Sequence, residues 1–204
     1  MSAPDPAAAR LPYTFHLTID VRPDGHDAYL AYKLEALGQL PGWAGHRWTL
    51  LLRAGAAHPD RYYQVSQFDS QASLDALVGT AASQEVVARH EPYRLMTRSP
   101  ALREVVTVLS DDAVPGHASP AWCAHLRLAA DNHPGQLAER LRGPGAGPST
   151  GLRTVLLGWA GASQGGLALA LAATAADART GLPVHPASEA AVEDCKVLLD
   201  LPPR

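Results

Sequence analysis

The sequence predicts an α+β fold in which one β-α-β-β-α-β unit is written twice, the second time in degenerate form, with the two copies paired sheet to sheet. Three observations predict it. A strand of strictly alternating character stands near the start, the strand and helix signals of the first half follow the order of that unit, and three short segments of the second half repeat segments of the first in the same order.

In "YTFHLTIDV", Phe15, Leu17, Ile19 and Val21 fall on one side and His16, Thr18 and Asp20 on the other, the period of a half-buried strand. In "PDGHDAYLAYKLEALGQLPG", Ala28, Leu30, Ala31, Leu34 and Leu37 recur at helical spacing, and Gly38 and Pro41 stop the helix. That row is expected to pack on the apolar face of the strand. "HRWTLLLRAG" and "RYYQVSQFDS" are strand-like runs joined by the turn-rich "AGAAHPD". Ser70 is a candidate N-cap for "SQASLDALVGTAASQEVVARH", because its oxygen can accept from the free amides of a first turn, and Leu74, Leu77 and Val78 form that helix's apolar face. "LREVVTVLS" closes the order, so residues 13–110 read as a ferredoxin-like unit.

Residues 1–12 read as a disordered tail and 111–120, "DDAVPGHASP", as a linker, after which 121–204 restart the order. His125 and Leu126 fall where His16 and Leu17 fell. "LRTVLLGWAG" from Leu152 overlays "HRWTLLLRAG" from His46, and "AVEDCKVLL" from Ala191 overlays "ALREVVTVL" from Ala101. The second copy is shortened: its first helix is reduced to "HPGQLAERLR", and "AADARTGLPVHPASEA" leaves room for only a turn or two in place of the second. A four-stranded sheet with helices on one face must bury its other face, and a second such sheet does so. The pair would form an intrachain α/β barrel enclosing a cavity, into which strand parity sends both His16 and His125.

Composition narrows the function. A chain of 204 residues with 47% hydrophobic and 18% charged residues is an ordinary globular protein. A net charge of −3 without a basic stripe argues against nucleic acid, and no apolar run reaches the roughly 18 residues that span a membrane. No secretory signal pattern opens the sequence, and the two cysteines, Cys123 and Cys195, make no metal spacing or disulfide framework. A cytoplasmic protein is expected, and the abundance of Ala, Arg, Gly and Pro suggests a GC-rich bacterial genome.

"PGWAGHRWTLLLRAG" followed by "RYYQVSQFDSQASLDALVGTAASQEVVARH" resembles the core of the antibiotic biosynthesis monooxygenase family of the dimeric α/β barrel superfamily. The Pro41-Gly42-Trp43 turn enters the second strand as in that family. Phe68 stands where the family's Trp-x-Ser has its Trp, a departure, with Ser70 two residues on. The resemblance covers about residues 13–110. It implies an aromatic, polyketide-like substrate held between helices and sheet or between sheets, and oxygenation of an electron-rich phenol. It further implies dioxygen as cosubstrate with no tightly bound metal or flavin, reduced flavin entering at most as an external cosubstrate. Members are homodimers of single units or fused tandems, so this chain is expected as a monomer whose halves imitate a dimer, or as a homodimer. A cyclase or isomerase on the same scaffold, and a non-catalytic small-molecule binding protein, are the alternatives.

Among the nine histidines, His16 and His125 interrupt strands and are the candidate general bases. His46 and Trp48, two apart on the second strand, should share a face and could stack a polycyclic ligand and polarise its oxygen. Tyr62 is expected to look into the cavity, since Gln64 and Ser66 share its parity. Arg127 should face the same way as His125 and hold a carboxylate or enolate oxygen. His90 ends the second helix, where the macrodipole favours a cation, and haem-degrading relatives place their iron-binding histidine near this helix. No metal-ligand spacing appears. "GWAGASQGG" and "GPGAGPST" lack the contexts of a nucleophile elbow and a phosphate loop and read as turns.

Overall fold

The computed structural model describes residues 12–89, 96–98, 101–113, 119–128, 153–160, 165–180, 182 and 192–201. Residues 1–11 of the expected tail, residues 114–118 of the expected linker and the reduced helix at 133–142 lie outside these. The first unit runs β1 (Tyr13–Asp20), α1 (His26–Gly38), β2 (His46–Arg53), β3 (Arg61–Phe68), α2 (Gln71–Val78), α3 (Ala81–Arg89) and β4 (Leu102–Ala113). The second runs β5 (Trp122–Leu128), β6 (Arg153–Trp159), β7 (Gly166–Ala172), α4 (Ala175–Thr180) and β8 (Val192–Leu201). The segments matched as repeats are thus strands in both copies.

The strands close into one antiparallel barrel in the order β1-β3-β2-β8-β5-β7-β6-β4. Each unit contributes four adjacent strands in the order 4-1-3-2, and the seams are crossed reciprocally: β2 pairs with β8, and β4 with β6. No strand edge is left open.

Alternation then decides what fills the barrel. Leu50, Leu52, Val65, Val106, Val155, Leu157, Leu167, Leu169 and Leu171 are buried together with Trp48, Cys123 and Cys195 in its interior. The interior is therefore a packed core, not the shared cavity expected from the sequence, because side chains from β2 to β8 meet there. Cys123 and Cys195 face one another across β5 and β8 as free, buried thiols, and burial raises the pKa of both. Outside the barrel, Phe15, Leu51 and Phe68 carry Leu37, Leu40, Leu74 and Leu77 of the first unit's helical layer.

Two helix details differ from expectation. The long second helix is broken at Gly79: Ser70 caps α2 by accepting from the Ser73 amide at 3.1 Å, and Thr80 repeats this for Ser83 at 3.2 Å, opening α3. The buried row of α1 is Tyr29, Lys33 and Leu37, spaced at i, i+4, i+8. Ala28 and Ala31 face solvent and Leu34 is 41% exposed, so the helix is rotated from the face its aliphatic residues suggest. Tyr29 buries more apolar area than the alanines can, which accounts for the rotation.

Candidate functional site: a pocket between helices and sheet

The two faces of the β1–β3 pair hold different chemistry, and each expected site residue falls on one or the other. His16 and His125 do point inward and meet, with their Nε2 atoms 3.4 Å apart. His16 Nδ1 lies 3.3 Å from Glu104 Oε2, and the His125 ring stacks on Tyr63 with centroids 4.1 Å apart. Glu104 also receives Arg127 in a two-point contact at 2.6 and 3.2 Å. The carboxylate that Arg127 holds is therefore this chain's own, and its guanidinium lies over the Trp159 ring at 4.6 Å.

The hydrogen bond from His16 and then that from Arg127 lower the Glu104 pKa to about 2. Desolvation, followed by the charge of His16, lowers His125 to about 3. With Glu104 ionised, His16 Nδ1–H donates to it, and the two histidine Nε2 atoms lie within hydrogen-bond reach of one another. Tyr63 donates to Glu193 at 2.7 Å. Tyr63, His125 and Arg127 line a cleft of about 690 Å³ at this end of the barrel, where Arg61 is paired with Asp20, and Arg179 with Asp194. The three arginines of this cleft are each paired with a carboxylate, whereas Glu193 accepts from Tyr63 alone and its Oε1 is buried without a hydrogen-bond partner among the described residues.

Tyr62, expected to look into the barrel, points the other way. It packs on Tyr29 at 4.7 Å beneath α1, with its hydroxyl 2.9 Å from His26 Nδ1. Tyr63 takes the inward place because Val65 and Gln67 share its parity and line the interior. His46 and Trp48 do not share a strand face, although both border a cavity of about 780 Å³. Three residues of β2 span two of β3, His46 opposite Phe68 and Trp48 opposite Gln67, and this bulge reverses parity between them. Trp48 enters the barrel core and donates to Gln67 at 3.1 Å, whereas His46 sets its ring against Phe68 at 5.6 Å. His90 lies outside the described residues.

The helix-side face carries a feature that the sequence reading missed. Lys33 is only 8% exposed, and its Nζ donates to Gln64 Oε1 at 3.0 Å. Gln64 Nε2 donates to Ser66 Oγ at 2.9 Å, Thr49 Oγ1 to the same Ser66 oxygen at 2.8 Å, and His46 Nε2 lies 3.0 Å from Thr49 Oγ1. A buried polar row thus runs under the helices from Lys33 to His46. Desolvation lowers the Lys33 pKa to about 8, with no carboxylate among the described residues offsetting it.

Beside this row lies a cavity of about 590 Å³ between α1, α2, α3 and the sheet. Phe15 and Phe68 stack 6.3 Å apart at its floor, Leu37, Leu40, Leu74, Leu77 and Val86 wall it, and Tyr32 and Gln64 bring polar groups to it. This lining suits a flat apolar ligand with one polar end. Among the described residues, no cluster of three or more His, Cys, Asp or Glu side chains could hold a metal ion, and no helix is long and apolar enough to cross a membrane.

No family model matches the sequence, and no curated protein matches it. Solved structures do. A candidate monooxygenase from Fusobacterium nucleatum superposes with a TM-score of 0.73 at 8% identity, over 93% of this chain and 94% of that one. A candidate monooxygenase from Lactobacillus acidophilus gives 0.67 at 10% identity over the same shares. An anthrone oxidase-like protein gives 0.58 at 13% identity, over 98% of this chain and 95% of that one. The shared fold is a closed eight-stranded barrel built from two ferredoxin-like units in one chain. At these identities the likeness concerns the fold, and it spans both units of the tandem barrel.

Two titrations follow from the geometry. Unfolded His125 takes a proton below about pH 6.5 while the folded one resists until about pH 3, so its contribution to stability falls as pH drops through that window. Glu104 adds to the acid loss from about pH 4.5 toward 2. In urea unfolding, His125→Phe should gain on the parent by about 1 kcal/mol for each pH unit below 6.5; a constant difference would contradict the buried neutral imidazole. Lys33 has the opposite window. Its charge burdens the fold below about pH 8, and the burden fades as pH rises toward 10.5. Lys33→Met should therefore be more stable than the parent at pH 7 by about 3 kcal/mol, with the gain vanishing near pH 10.5.

Proposed function

We propose that the protein is a small oxygenase that holds an aromatic, polyketide-like phenol or enol in the helix–sheet pocket of its first unit and lets it react with dioxygen, without a tightly bound metal or flavin. The observation that carries this reading is the pocket itself: an apolar, aromatic-floored slot of about 590 Å³, beside which one buried cation stands. The names of the solved structures that share the whole fold, two candidate monooxygenases and an anthrone oxidase-like protein, support it.

The chemistry asks little of the protein beyond positioning and charge stabilisation. Ionising an anthrone-type substrate yields a delocalised carbanion, whose carbon bonds to dioxygen to give a hydroperoxide. Loss of water leaves a new carbonyl, so a CH₂ group and O₂ become C=O and H₂O, and the substrate itself supplies the electrons. The walls of Phe15, Phe68 and the leucines exclude water and fix the ring plane, and the polar end lowers the cost of the negative charge.

An oxygen electrode tests the reading. Anthrone added to protein pretreated with a chelator should consume one dioxygen per product well above the spontaneous rate. Ala36→Trp, which fills the pocket from α1, should return uptake to that rate. Uptake that appears only with added reduced flavin would assign flavin as an external cosubstrate. A changed product with no oxygen consumed would identify a cyclase, and unaltered anthrone would leave a binding protein.

A further inference from the structure

We propose that Lys33 and Gln64 form an oxyanion site, in which the Lys33 ammonium and the Gln64 amide together hold the ionised oxygen of a phenol or enol lodged in the helix–sheet pocket. The inference rests on the pocket reading above and adds to it the group that makes the ligand reactive.

A buried lysine needs acceptors for three N–H bonds. Among the described residues, one oxygen accepts from Lys33, that of Gln64 at 3.0 Å. The remaining surroundings are ring faces, with Tyr29 and Tyr32 centroids 5.9 and 5.8 Å from Nζ. Ring faces attract a cation weakly and do not replace the water it has lost. The titratable groups against Lys33 are these two tyrosines of its own helix, and β3 presents the neutral Gln64; no carboxylate among the described residues neutralises it. Both Tyr32 and Gln64 also line the pocket, so the ammonium stands behind its polar end. Gln64 uses one lone pair toward Lys33 and one N–H toward Ser66, and so retains an N–H for a second acceptor.

An arriving phenol completes the set. Its proton passes to the neutral fraction of Lys33 or, where Lys33 is already charged, to water, and in either case a phenolate is left beside an ammonium. No electrons move in this step. The site thus prepares the carbanion without taking part in its oxidation.

The test uses 2-hydroxyanthraquinone, which reports ionisation by its visible colour and is already oxidised at the ring carbonyls. Bound to the intact chain, it should ionise at least one pH unit lower than in free solution, a tenfold shift. Lys33→Met removes a charge burden and is expected to fold; it should bind the neutral form and shift the midpoint upward. Gln64→Glu, which pairs Lys33 with a carboxylate, should also lose the ionised spectrum. An unshifted midpoint in the parent protein, or an ionised ligand in Lys33→Met, overturns the oxyanion site while leaving the pocket in place. Failure of the parent to bind the quinone at all overturns the pocket reading and this proposal with it.

Discussion

Everything in this molecule depends on the reciprocal seams at which β2 meets β8 and β4 meets β6. A single four-stranded sheet would leave two open edges and one bare apolar face. Crossing the seams removes all four edges at once and turns both bare faces toward a common interior. Once closed, the barrel is filled by leucine, valine, Trp48 and Tyr63, so a ligand must bind at its ends or outside it.

Strand alternation then separates two polar systems only one sheet thickness apart. On the inner face, Glu104, His16 and His125 satisfy one another, and the lowered pKa values of Glu104 and His125 are what a self-contained buried network produces. On the outer face, Lys33 is buried beside a cavity with one acceptor and no counter-charge among the described residues. A completed network makes a poor binding site, whereas a buried cation short of acceptors stores a preference for an anion. That contrast moves the candidate chemistry from the histidines to the lysine.

Much of this was legible from residue pattern. The alternation of "YTFHLTIDV" correctly sent His16 opposite the helices, and the repeated segments fall on equivalent strands that bring His16 and His125 into contact. Parity failed where the pattern carried none. The run Leu50, Leu51, Leu52 is apolar on both faces, because one lines the barrel and the other lies under helices, so nothing in it betrays the bulge that separates His46 from Trp48. The polar residues Gln64 and Ser66 suggested an aqueous cavity on their side of β3, yet they lie under α1, where they serve Lys33. Lys33 itself was hidden because the aliphatic residues of α1 outline a different face. The signal that could have found it was the spacing of Tyr29, Lys33 and Leu37, a charged residue one turn from two large apolar ones on one stripe.

The most direct measurement of the central claim is a crystal structure of the full chain with 2-hydroxyanthraquinone. The account predicts the rings between Phe15, Phe68 and the three helices, with the hydroxyl oxygen within hydrogen-bond distance of Gln64 and Lys33. Rings lodged instead in the cleft at the barrel end, against Tyr63 and His125, would contradict it and return the chemistry to the histidine pair.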